Sequence, residues 1–180
     1  MTRATGATVH ASAVLVGNRA VLIRGPSGSG KSRLAFDLIL AGRSGQISPA
    51  VLVGDDRVHL EPSLVEAGSG QLVVRPAREL AGLIEIRGLG IRRCGFAGEA
   101  VVGLVVDLAA ADAERLPAPE ALLTRISGVW IPRIPVVSGF APFPLVVAAL
   151  TTTASSSRCD ATADCLKEIG NHMVSNIATE

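Results

Sequence analysis

The stretch VLIRGPSGSGKSRLAFDLIL, Val21 to Leu40, constrains this chain more than any other. An apolar β-forming run drops into glycines and a single lysine follows. Leu34, Ala35, Leu38, Ile39 and Ala41 then recur at helical spacing until Gly42 ends the pattern. Gly25-Pro26-Ser27-Gly28-Ser29-Gly30-Lys31-Ser32 satisfies G-x-x-x-x-G-K-[ST] at every fixed position. Each part has a physical reason. Glycines open backbone conformations that let successive N–H groups converge on an anion. The helix that follows turns its unpaired N–H groups and positive dipole end to the same charge. Lys31 brings a mobile ammonium to the outer phosphates, and the Ser32 hydroxyl can ligate Mg²⁺. The motif implies phosphate binding and says nothing of the reaction.

The flanking sequence supplies the rest of a sheet. ASAVLV and RAVLIR, on either side of Gly17-Asn18, read as a hairpin. AVLVGDD (50–56) reads as a short buried strand ending in two acids, and VHLEPS with QLVVRPA as a hairpin around EAGSG, with Gly68 and Gly70 at the turn. GLIEIRGLGIRR (82–93) reads as a strand entering a glycine-punctuated loop, and AVVGLVVDL as a continuous apolar strand. ERLPAPEALLTRI predicts a proline-interrupted connection followed by a short helix, and FPLVVAAL a helix or a strand. Strands and helices mix with several hairpins, so the class is α/β or α+β around a mixed sheet, not a strictly alternating doubly wound fold. Residues 1–150 form the expected domain. From 151 onward the Ser/Thr-rich composition predicts a loosely attached or disordered tail.

Asp55 and Asp56 gain their interest from the loop. An apolar strand delivering a carboxylate beside a phosphate site can hold Mg²⁺ or its water, or act as a base on an attacking hydroxyl. Consecutive residues of an extended chain point to opposite faces, so one acid is expected toward the phosphates and the other toward an acceptor or a supporting shell.

Composition removes several alternatives. A net charge of +1 over 180 residues argues against nucleic acid as the main partner. Cys94, Cys159 and Cys165 form no C-x-x-C pair, which fits a reducing cytoplasm without disulfide framework or zinc site. His10 and Ser12 interrupt the N-terminal apolar run, and no stretch approaches the roughly 20 apolar residues of a membrane span, so the chain is expected in the cytoplasm. The only lysines are Lys31 and Lys167; a general coding preference for arginine accounts for the scarcity but not for the place of Lys31.

VHASAVLV before the glycine loop, GPSGSGKS itself, VGDDRV after it and GLIEIRGLGI together resemble the catalytic domain of the HPr kinase/phosphorylase family, bacterial serine kinases acting on the phosphocarrier protein HPr. The EIRGLGI segment is that family's signature. The resemblance covers roughly Val9 to Leu150 and looks closest to a short form lacking the N-terminal domain of longer members. It implies a mixed sheet flanked by helices of the HPr kinase/PEP carboxykinase-like kind, with ATP and Mg²⁺ as cofactors. HPr or an HPr-like phosphocarrier of a phosphotransferase system is the implied partner, and a homo-oligomer is left open.

The resemblance also implies roles for residues. His10, on the strand before the loop, counts among the family's active-site residues. The Asp55–Asp56 pair transfers the proton of the substrate serine, with either residue as the base. Glu85 is a second Mg²⁺ ligand beside Ser32, and Arg87 neutralises phosphate or supports Glu85. Arg115, in ERLP after the long strand, corresponds to an active-site arginine. Longer members have an arginine-rich loop linked to dephosphorylation where this chain has IPVVSGF (134–140), with Arg133 just before it as a partial substitute. The kinase direction is therefore favoured over phosphorolysis. A small-molecule kinase or ATPase and a non-catalytic nucleotide sensor remain alternatives.

Overall fold

In a computed structural model, residues 7–64 and 70–153 are described. The strands are β1 (Thr8–Val9), β2 (Ala11–Val16), β3 (Arg19–Arg24), β4 (Ala50–Gly54), β5 (Val58–Leu64), β6 (Gly70–Pro76), β7 (Leu83–Ile86), β8 (Gly90–Arg93), β9 (Ala100–Leu108), β10 (Leu123–Ile126) and β11 (Val129–Val136). Two α-helices accompany them, α1 (Lys31–Arg43) and α2 (Pro142–Thr151). Strand order in the main sheet is β1-β5-β6-β9-β3-β2-β4, with β11 also on β9 and β10 on β11. β3, β9 and β11 run parallel, while β2 is antiparallel to both β3 and β4.

That pairing decides where chemistry can happen. Since β4 runs in the same direction as β3, the ends of β3, β4, β9 and β11 and the beginning of β2 all reach one edge of the sheet. The registers confirm it: Ala11 lies opposite Arg24, Ala13 opposite Gly54, Arg24 opposite Asp107 and Val136 opposite Leu108. The carboxyl ends of parallel strands are where open α/β sheets take their ligands.

Period-two alternation divides the core. Val21 and Ile23 face α1 and α2, joining Leu34, Leu38, Val106, Val146 and Leu150. Ala20 and Leu22 face the other way, onto Val53, Val58, Leu72, Val74 and Val105, where the curled sheet covers its own second face. α1 buries Leu34, Ala35, Leu38, Ile39 and Ala41, the residues whose spacing announced it. Gly42 carries no side chain for a packing reason: a Cβ there would lie 2.5 Å from the backbone nitrogen of Ala50.

Two expectations change and one open alternative is resolved. The helix expected in ALLTRI is absent: Pro119–Leu122 makes one 3₁₀ turn and Leu123–Ile126 is β10. Ser127 (φ 49) and Gly128 (φ 86) form a two-residue turn of the kind that matches strand twist, folding β10 onto β11. The segment after Gly90 is not a loop but β8, paired with β7 through Ile86↔Gly90 and Leu83↔Arg93. FPLVVAAL is resolved in favour of the helix α2. The hairpins 11–24 and 58–76 form as expected, with the tip 65–69 and the tail 154–180 outside the described residues.

Among the described residues no helix is long and apolar enough to cross a membrane.

Candidate active site at the phosphate loop

The loop between β3 and α1 is shaped for close approach. Gly25 (φ 148), Gly28 (φ 78) and Gly30 (φ 95) occupy conformations that side chains rarely adopt. At Gly25 an added Cβ would come within 2.9 Å of the Leu108 carbonyl oxygen and 2.8 Å of Ser29 Oγ. The Ser29 hydroxyl is buried and has no hydrogen-bond partner among the described residues. Pro26 and Ser27 are exposed, and Ser32 sits in the first turn of α1. The Lys31 side chain is buried and donates to the carbonyls of Gly25 (3.0 Å) and Pro26 (2.9 Å). Burial pulls its pKa down, and Asp55 and Asp56 act in the opposite direction. A desolvated ammonium inside a ring of glycines, with two carboxylates close enough to act on it, suits a polyanion entering from solvent.

The acids differ from each other. Asp55 is 3 % exposed; it accepts from the Ser12 hydroxyl at 2.5 Å and from the Glu85 backbone N–H at 3.0 Å. Asp56 is exposed, with its Oδ1 3.3 Å from His10 Nε2. Their separation does not come from the pleat. β4 ends at Gly54, and Asp56 adopts a left-handed φ of 66, so a turn sends its side chain outward. Asp55 is thus a fixed internal tie between β2, β4 and β7, whereas Asp56 and His10 are open to a visitor.

Ser12 escaped the sequence reading because an alternating strand makes every second residue internal without saying which partner awaits it. Ser12→Ala leaves a buried carboxylate one donor short. We expect a loss of about 2 kcal/mol in urea unfolding, against less than about 0.5 kcal/mol for exposed Asp56→Asn.

Glu85 and Arg87 alternate with Ile84 and Ile86, which pack into the α1-side core, so both polar side chains lie on the solvent side of the β7–β8 hairpin. Ser32 and Glu85 offer two hard oxygens. Such a set leaves the remaining positions to phosphate oxygens and water, the partial shell that Mg²⁺ accepts, so these residues fit that ion.

Arg115 lies exposed in the connection after β9, and no contact described here joins it to the glycine loop. A different arginine pair does reach the edge. Arg24, immediately before the loop, grips both oxygens of Asp107 at 2.7 Å. Arg133 bonds Asp107 at 2.5 Å and Asp112 through both terminal nitrogens at 2.6 and 2.9 Å. Arg133 is therefore committed to two carboxylates and does not substitute for the missing loop arginines.

Burial is the largest single influence on Asp107 and pushes its pKa up, but the hydrogen bonds and charges of Arg24 and Arg133 outweigh it and leave the value below the ordinary 3.8. A carboxyl depressed in the folded state stabilises above its unfolded pKa and loses that contribution as pH falls through the folded one. We therefore expect the urea midpoint of the wild type to fall below about pH 4 more steeply than that of Asp107→Asn, which itself is less stable at pH 7 by about 3 kcal/mol.

A glycine loop between a parallel strand and a helix, with an acid-tipped strand beside it on a mixed sheet, places the chain in the P-loop class of α/β folds. Within that class the chain belongs to the HPr Serine kinase C-terminal domain family, whose model matches residues 2–168. It is 36% identical over 169 residues to the HPr kinase/phosphorylase of Enterococcus faecalis, covering 86% of this chain and 50% of that protein. It is 39% identical over 84 residues to the HPr kinase/phosphorylase of Streptococcus thermophilus, covering 47% of this chain and 24% of that protein. The chain thus spans about half, or less, of the length of these relatives. Its fold matches a solved structure of the Hpr(Ser) kinase/phosphatase from Coxiella burnetii, with TM-score 0.61 and 24% identity over 79% of this chain and 87% of that one.

Proposed function

We propose that this protein is an ATP- and Mg²⁺-dependent serine kinase acting on HPr or an HPr-like phosphocarrier in the cytoplasm. The observation that carries the reading is the division of labour between the acids: Asp55 is tied down inside, while Asp56 stands exposed beside His10 next to the Lys31 cradle. An exposed carboxylate suits an acceptor presented by a folded protein, which needs room that a closed small-molecule pocket does not give.

In this reading the loop N–H groups and Lys31 hold the donor phosphates. Ser32 and Glu85 hold Mg²⁺, which when bound neutralises charge on the phosphate oxygens. Asp56 takes the proton of the acceptor serine, and His10 orients that carboxylate. Asp55 keeps the hairpin bearing Glu85 against the loop. Arg87 offsets negative charge on the transferred group. The absence of arginine from residues 134–140 and the pairing of Arg133 with Asp107 and Asp112 support the kinase direction over phosphorolysis.

The test is mass spectrometry of a purified HPr-like protein after incubation with this protein, ATP and Mg²⁺. One phosphoserine, absent in the Asp55→Asn/Asp56→Asn double variant, is the expected result. ATP hydrolysis indifferent to HPr would favour a plain ATPase or small-molecule kinase. Nucleotide binding without turnover would favour a sensor.

A further inference from the structure

We propose that the outer face and tip of the β7–β8 hairpin dock the protein that carries the acceptor serine, and that this acceptor presents an apolar patch rimmed by carboxylates beside that serine. The inference rests on the kinase reading above and extends it from the reacting groups to the acceptor's surface.

The hairpin stands clear of the main sheet. β7 and β8 form a two-stranded sheet of their own, a unit of marginal stability unless something anchors it. The anchors lie at its base. Ile84 is buried in the α1-side core, the Glu85 N–H is held by Asp55, and just after β8 the Ala97 N–H donates to the Leu52 carbonyl at 2.7 Å. Beyond them every residue from Arg87 to Arg93 is exposed, and a Cβ added at Gly88 or Gly90 would meet nothing within 4 Å.

A tip with no task is expected to carry polar side chains. This one carries Leu89 and Ile91, 62% and 69% exposed. Arg87, Arg92 and Arg93 surround them, and no ion pair among the described residues involves any of the three. The hairpin's one acid is Glu85, which in the reading above holds Mg²⁺. Aliphatic side chains set among arginines match the apolar centre and arginine enrichment of protein interfaces. Complementarity then asks for an apolar patch with carboxylates around it.

Place decides which protein. Ile91 is the cross-strand partner of Glu85, so the two stand about 5 Å apart on one face. Glu85 in turn is one hydrogen bond from Asp55, the neighbour of Asp56. Leu89 lies two residues from Ile91, roughly 7 Å further along. A stable partner covers about 800 Å² on each side, a disc of roughly 16 Å radius. A disc of that size centred on Asp56 takes in the outer face of the hairpin.

Steady-state phosphorylation of a purified HPr-like carrier by the whole chain, with Leu89→Asp and Arg93→Glu beside the wild type, tests this. Thermal melts verify that the variants fold, and sedimentation velocity gives their oligomeric state. We expect KM for the carrier to rise about tenfold or more for Leu89→Asp and about threefold for Arg93→Glu. At saturating carrier kcat stays within about twofold of wild type, as does calorimetric ATP affinity. Unchanged KM in both variants overturns the proposal, and so does a fall in kcat alone, which makes the hairpin part of the chemistry. Loss of wild-type self-association in Leu89→Asp also overturns it, since the face then belongs to a second copy. If the wild type transfers no phosphate to the carrier, the kinase reading fails. In that case calorimetric binding of the carrier, abolished by Leu89→Asp, still upholds the docking face, and absence of binding overturns both.

Discussion

Lys31→Met gives a protein that folds and does not transfer phosphate: we expect kcat to fall by about 10²–10³, with ATP affinity also reduced. Methionine preserves the length of the side chain, so packing against the loop survives. What disappears is a charge held in a poorly solvated place, where burial already pulls the ammonium's pKa down. In that environment a positive group acts on developing phosphate charge far more strongly than it would in water. The folded state loses little. The two carbonyl hydrogen bonds to Gly25 and Pro26 go, but so does the cost of desolvating an ammonium. Stability should change by less than about 1 kcal/mol in urea unfolding, which separates a catalytic loss from a folding defect.

The parts of this site that were legible in the sequence share one property: their signals are local. Eight consecutive residues describe the loop, and helical spacing from Leu34 to Ala41 describes the helix that completes it. The acid-tipped strand and the hairpin of β2 and β3 read out in the same way, from apolar runs and the residues that stop them. EIRGLGI singles out Glu85 and Arg87 only through the family resemblance; the alternation of Ile84 and Ile86 explains why both polar side chains face outward. β10 was misread because LTRI is too short for any periodicity to declare itself. Its identity comes from the turn at Ser127-Gly128 and from β11 waiting alongside.

What the sequence could not show is pairing over distance. Arg24 meets Asp107 across 83 positions, and Ser12 meets Asp55 across 43. Nothing in either neighbourhood names the other. Both pairs arise because the topology gathers strand ends at one edge, and the order of strands in a sheet is a property of the whole chain. The difference between Asp55 and Asp56 is of this kind as well. As letters they are the same, and only the left-handed turn at Asp56 and the donors waiting for Asp55 make one a tie and the other a free group.

That difference yields the second large effect. Asp56→Asn removes the exposed carboxylate without touching the interior, and we expect kcat toward an HPr-like acceptor to fall by about 10²–10⁴ with ATP affinity nearly unchanged. An amide of the same shape still fits beside His10 but cannot accept the serine proton. Asp55→Asn is expected to behave differently. It takes the charge from a group holding two donors in the interior, so it destabilises the fold by about 2 kcal/mol and lowers activity through misplacement of the hairpin carrying Glu85. Measuring kcat, ATP binding and urea midpoints on both single variants therefore reads two separate patterns: chemistry lost with stability kept for Asp56, stability lost together with activity for Asp55. If instead Asp56→Asn retains most of its kcat while the well-folded Asp55→Asn loses all of it, the base is the internal acid. The exposed pair of Asp56 and His10 then serves the acceptor's docking and not its deprotonation.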